Sequence, residues 1–226
     1  MFPNYEFVRH LKSELEKDNG SVFRYANHEN TVLNQILTQL EAASVEDVKD
    51  RSALMDFIKT ITHGANHRGE RDMIDLLELV KKYYYHPLMG GSNSLKVVLP
   101  AVLDSSDYIQ NKYSNPIYGK NSEIKSLNFE DGWVWIKKDA DGNIISPYKS
   151  LPPLFENIDD DQIDDFMMRS DIQDGGAAMT AYAKMQFTQI PDIKRELIAK
   201  ALLKYCELDT LAMVLLWEFW KNIVNM

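Results

Sequence analysis

The chain has 226 residues, of which 45% are hydrophobic and 26% charged; 34 acidic side chains against 25 basic ones give a formal net charge of −9. That length holds one large domain, or one domain with an insert, and the composition is ordinary for a soluble globular protein with a sizeable core. The charge argues against a dedicated nucleic-acid-binding module built on a basic face, but says less against nucleases, whose sites are themselves acidic.

Phe7, Leu11 and Leu15 fall on one face of a helix predicted over 4–18, which Asn19-Gly20 stops. Residues 21–26, SVFRYA, are β-branched and aromatic and read as a strand. Asn27 or His28 opens the next helix, with Val32, Leu33, Ile36, Leu37 and Leu40 as its apolar side. Helix, buried strand, turn and helix make a unit of a layered α/β fold. A short helix is expected over 52–62 and a loop over 63–71; 72–85 is a helix, or a strand followed by a helix, ended by Pro87. MGGSNS (89–94) is a turn whose Ser92, Asn93 or Ser94 caps a helix in LKVVLPAVL, which Pro100 limits unless it kinks.

Residues 104–158 are rich in Ser, Asn, Asp, Pro and Tyr and read as an insert or lid on a body formed by 1–103 and 159–226. Within the insert, Asp141-Gly142 is a turn signal between GWVWIKK and NIISPY, so a β-hairpin is expected there. Trp133 and Trp135 alternate on its strand, as the insert's core or as a surface for stacking on bases. The acidic run at 156–165 lacks the spacing and glycine of an EF-hand loop and reads as a solvated helix start. From Gly175 the chain reads as helical, with GGAAMTAYAKMQF followed by a long helix opened by Pro191.

The lone cysteine, Cys206, excludes a disulfide framework and a cysteine zinc site, and fits a reducing compartment. No signal peptide is visible and no run reaches the roughly 18–20 apolar residues of a membrane span, so a cytoplasmic protein off the membrane is expected.

Chemistry concentrates at Tyr205-Cys206-Glu207-Leu208-Asp209. Tyr205 and Asp209 are one turn apart on one helix face, so Asp209 can face a metal ion while Tyr205 faces an attacking water. The plainer reading is a surface aspartate beside a half-buried tyrosine. Asn27-His28-Glu29, after the strand and at the start of a helix, puts Glu29 where a second acid can stand; its plainer role is to favour the helix N-terminus. Asp75 can orient a ligand, bind metal or serve structure alone. Lys96 can meet a phosphate as a point charge, or snorkel from a half-buried helix. His86 lines a site or caps a helix end. His63 and His67 are spaced as two metal ligands, but Gly64 and Gly69 make their segment a loop.

The Tyr-x-x-x-Asp spacing resembles the third motif of the DEDDy 3′–5′ exonucleases of the ribonuclease H type, and Asn27 to Leu33 resembles their second motif with Glu29 in place of the usual aspartate. The chain as a whole resembles a bacterial domain-of-unknown-function (DUF) family numbered 2779. That resemblance rests on Tyr84-Tyr85-His86-Pro87, Gly91 to Pro100, Pro147-Tyr148, Leu151-Pro152-Pro153, Gly175-Gly176-Ala177 and Tyr205 to Asp209, and covers nearly all of the sequence. It implies a helix-rich, incomplete ribonuclease H-like α/β fold with an inserted hairpin, in a polypeptide whose upstream part is a RecB-like nuclease region. Tyr205, Asp209 and Glu29 are then the catalytic residues; Glu29, Asp209 and Asp75 the ligands of Mg²⁺ or Mn²⁺; and Asn27, Lys96 and His86 the contacts to a single-stranded DNA or RNA end.

The first exonuclease motif, Asp-x-Glu, is not found before residue 21, and is expected upstream of Met1. Two-metal hydrolysis needs ions about 4 Å apart held by several carboxylates, one ion activating water and the other steadying the departing oxygen. Glu29 and Asp209, if they converge on one ion-sized hollow beside Tyr205, hold Mg²⁺ weakly, because Mg²⁺ sheds water reluctantly. Little or no activity is therefore expected of this chain alone. The alternative is a non-catalytic scaffold that retains the fold and binds nucleic acid or protein. A sheet short of its opening strands leaves a bare edge, so self-association is also expected.

Overall fold

The computed structural model describes residues 2–151 and 175–225. Pro152-Pro153 and the acidic run at 156–165 lie outside the described residues. The chain divides into two compact units, Met1–Tyr85 and His86–Met226. Both are rich in helix, and the strands are two residues long throughout.

The first unit runs α1 (Pro3–Leu15), β1 (Phe23–Arg24), α2 (His28–Ala42), α3 (Arg51–Ile61), β2 (Ile74–Asp75) and α4 (Leu76–Tyr83). α1 and α2 both pack on α3, and Val8, Leu33, Ile36, Leu40, Phe57 and Ile58 close the core between them. Those positions recur every three or four residues, which makes one apolar stripe per helix. β1 and β2 pair in parallel, Phe23 opposite Ile74 and Arg24 opposite Asp75. A parallel pair needs a long crossover; here α2 and α3 supply it. The segment read as a helix, or a strand and then a helix, is the second of these.

The loop between α3 and β2 is held by polar side chains and one tight approach. Asn30, buried on α2, donates to the His63 carbonyl and accepts from the His63 N–H, both at 3.0 Å. A Cβ on Gly69 would lie 2.1 Å from the Thr60 carbonyl oxygen, so only glycine fits there.

The second unit opens with a single 3₁₀ turn (Pro87–Met89) and continues through α5 (Leu95–Ser105), α6 (Asp107–Tyr113), β3 (Tyr118–Gly119), β4 (Ile124–Lys125), β5 (Lys137–Lys138), β6 (Ile144–Ile145), a second 3₁₀ turn (Pro147–Ser150), α7 (Gly175–Phe187) and α8 (Asp192–Val224). Ser94 is the N-cap residue of α5, and the helix runs through Pro100 to Ser105 although proline has no N–H for the carbonyl one turn back. The expected hairpin is present: β5 and β6 are antiparallel, and Gly142 takes a φ of 84° at its turn.

Trp135 is buried against Phe129 (ring centroids 4.9 Å apart), Tyr118 (5.4 Å) and Trp133 (5.6 Å). That cluster is core, and Trp135 offers no face to a base. α8 has 33 residues, about 50 Å of helix. Ile198, Tyr205, Leu208, Ala212, Leu215 and Phe219 form its buried stripe, and α5, α6, α7 and the second 3₁₀ turn pack along it. No helix among the described residues is long and apolar enough to cross a membrane.

Candidate functional site

In the first unit, the turn from β1 into α2 carries Asn27 and Glu29. Arg24, at the end of β1, is buried; its guanidinium donates to the Ala26 carbonyl at 2.9 Å and to Asn27 Oδ1 at 2.5 Å. Ala26 has a φ of 72°, a left-handed conformation that costs a residue with a Cβ. Asp75 holds the turn in place. Its Oδ1 accepts from the Ala26 N–H at 3.0 Å and from the Leu77 N–H at 2.9 Å, which also caps α4, while Oδ2 faces Arg24 at 3.5 Å. A guanidinium beside a carboxylate competes with a metal ion for it, so Asp75 serves as the fastener of this turn. Asn27 is spent locally too, donating to Thr31 Oγ1 at 3.2 Å. Glu29 lies in the first turn of α2, and its Oε2 is buried without a hydrogen-bond partner among the described residues.

The two histidines of the loop are engaged by other groups. His63 Nδ1 lies 2.8 Å from Asp72 Oδ1, and Arg68 meets the other oxygen of Asp72 at 3.0 Å. His67 Nε2 is 3.0 Å from Thr62 Oγ1.

In the second unit, α8 presents Tyr205 and Asp209 one turn apart, as their spacing predicts. Three groups surround the Asp209 carboxylate. Tyr148, from the second 3₁₀ turn, donates its hydroxyl to Oδ1 at 2.6 Å. The Tyr205 side chain hydrogen-bonds to it as well, and the positive charge of Lys96 acts on it from α5. The Lys96 ammonium stands over both rings, 5.4 Å from the centroid of Tyr148 and 5.0 Å from that of Tyr205. Lys96, Tyr205 and Asp209 therefore meet, and Tyr148 joins them. His86 stays outside the group: its Nδ1 accepts from the Leu88 N–H at 3.3 Å and caps the opening 3₁₀ turn, with Nε2 3.6 Å from Asp104.

Burial raises the Asp209 carboxyl above its ordinary value of 3.8, against the Tyr148 hydrogen bond, the charge of Lys96 and the Tyr205 hydrogen bond, which pull it down. The folded chain then holds the proton more tightly than the unfolded chain. The stability this group contributes is full below the ordinary value and is lost as pH rises through the raised one. Urea melts of wild type and Asp209→Asn between about pH 3 and 7 should show wild type losing stability relative to the variant as pH rises across that window. A difference that grows in favour of wild type would show that the tyrosines and Lys96 outweigh burial.

Two features escaped the sequence reading. Tyr148 stands 61 positions from Asp209, and the sequence marks it only by its place in the Pro-Tyr pair. Glu207, between Tyr205 and Asp209 but on another face of α8, has its own set of donors: Tyr118 and Ser126 hydroxyls on Oε1 at 2.6 and 2.5 Å, and the Asn128 amide on Oε2 at 2.6 Å. Burial and the nearby Asp209 charge raise the thiol of Cys206, a residue that is nevertheless exposed at the surface of α8. Among the described residues no group of three His, Cys, Asp or Glu side chains is placed to hold a metal ion.

No curated protein and no solved structure matches the chain. A family match covers residues 2–94, less than the near-complete resemblance expected; it spans the described part of the first unit and stops before Lys96, Tyr148, Tyr205 and Asp209. Over those residues the chain is similar to the family described as Domain of unknown function (DUF2779).

Proposed function

We propose that this chain is the C-terminal part of a two-metal 3′–5′ exonuclease-like domain of the ribonuclease H type that acts on a single-stranded DNA or RNA end, and that it does not hydrolyse phosphodiesters by itself. The observation that carries the reading is the meeting of Lys96, Tyr205 and Asp209 on α5 and α8. A tyrosine and an aspartate one turn apart on a late helix, beside a lysine that can face phosphate, are the residue types such a site uses. The parallel β1–β2 pair, with Glu29 on the helix that follows β1, also supports it.

The acids in hand do not make a resident pair of metal ions. Glu29 Oε2 lacks a partner and suits a cation, but Asp209 is already engaged by two tyrosines, and among the described residues neither acid belongs to a group of three side chains that could hold a metal ion. Each acid by itself holds Mg²⁺ or Mn²⁺ weakly at most. The engagement of Asp209 by Tyr148 and Tyr205 favours a second reading, a non-catalytic scaffold.

Incubating the whole chain with Mn²⁺ and 3′-labelled single-stranded DNA or RNA is expected to leave the strands full length. Shortening that disappears in Asp209→Ala would contradict the predicted inactivity. Retention of the strand on a native gel, weakened in Lys96→Gln, is the outcome expected of the nucleic-acid reading; no retention favours the scaffold.

A further inference from the structure

A groove of about 620 Å³ runs along a different face of α8 from Asp209, lined in part by Leu127, Leu203, Glu207, Val214, Glu218 and Lys112. Leu203, Glu207, Val214 and Glu218 follow helical spacing and make one stripe, about 22 Å long. Beside the stripe, Leu127 is 91% exposed, with Leu203 at 54% and Val214 at 42%.

Charge along the groove is unevenly balanced. Lys112 is spent on Glu218, at 2.8 Å, and Lys125, on the same lining, lies beyond ion-pair distance of Glu207. Glu207 has three donors, all neutral, and no cationic partner among the described residues. Three short hydrogen bonds fix its carboxylate, and Oε2 takes only one donor, which leaves room for another. A fixed carboxylate without an ion-pair partner, between exposed aliphatic side chains, is pre-organised for a guanidinium.

We propose that this groove docks a segment of a protein partner that presents an arginine to Glu207 and apolar side chains to Leu203 and Val214. A segment suits it better than a small molecule, because small-ligand sites enclose most of their ligand and this groove is open along about four turns of helix. The proposal does not rest on the nuclease reading.

Selection of a phage-displayed random peptide library on the immobilised whole chain tests it, followed by anisotropy measurements on the enriched peptides. Enriched peptides are expected to carry an arginine flanked by apolar residues. Replacing that arginine by citrulline, which keeps its shape and removes its charge, should weaken binding about tenfold or more. Glu207→Gln and Val214→Asp, checked for folding by circular dichroism, should weaken it comparably. No enrichment, enriched peptides without a basic residue, or unchanged affinity of the citrulline peptide would each overturn the proposal.

Discussion

Asp75→Ala is expected to destabilise the first unit by about 3–5 kcal/mol, the range for removing one partner of a buried pair. Arg24 is 7% exposed, and its partner Asp75 binds two backbone N–H groups besides. Alanine would leave a guanidinium out of water with carbonyls and Asn27 for company, and the Ala26 and Leu77 N–H groups without their acceptor. The left-handed Ala26 would lose the bond that offsets its strain. Asp75→Asn keeps an oxygen for the backbone N–H groups and should cost less, roughly 1.5–3 kcal/mol. Urea denaturation followed by circular dichroism, with hydrogen exchange at β1 and β2, would measure both. A loss below about 1 kcal/mol for alanine would mean that this carboxylate is not the fastener of the turn.

Trp135→Ala should cost the second unit a similar amount, about 3–5 kcal/mol. The indole is 1% exposed, with three aromatic rings at centroid distances of 4.9 to 5.6 Å. Truncation removes its edge-to-face contacts and leaves a cavity that stiff neighbouring rings close poorly. The Trp135 Nε1–H is buried with no acceptor among the described residues, so the native side chain carries a cost of its own. Trp135→Phe relieves that cost while opening a smaller cavity, and should lose less than about half as much as alanine. Equal losses in the two variants would place the stabilisation in the part of the indole that phenylalanine lacks.

These two sites also mark how far sequence reasoning reaches. Helical period is local: Leu33, Ile36, Leu37 and Leu40 announce α2, and the apolar positions from Leu197 to Leu216 announce α8, because each pattern repeats within a few residues. β2 is two residues long and shows no alternation, so 72–85 could be read two ways until its pairing with β1 decided it. The Tyr205–Asp209 pair was legible because its members are four apart on one helix. Tyr148, 61 residues from Asp209, and Tyr118, 89 residues from Glu207, were not legible as partners, since contacts made by tertiary folding leave no fixed interval in the chain. Glu207 lies inside the Tyr205–Asp209 string, yet two residues along the helix turn it onto a separate face with separate donors, which the string alone does not show.

Whether Asp209 and Glu29 are ion-facing acids can be read at each residue. Backbone amide spectra of the ¹⁵N-labelled chain, recorded while Mn²⁺ is added, report weak binding that calorimetry misses. Broadening at residues 29 and 209 ahead of the exposed loop acids, and lost at 209 in Asp209→Asn, is the predicted result. Sharp signals at both positions while Asp139 and Asp141 broaden would contradict it, and Asp209 would then be a structural carboxylate held between Tyr148 and Tyr205.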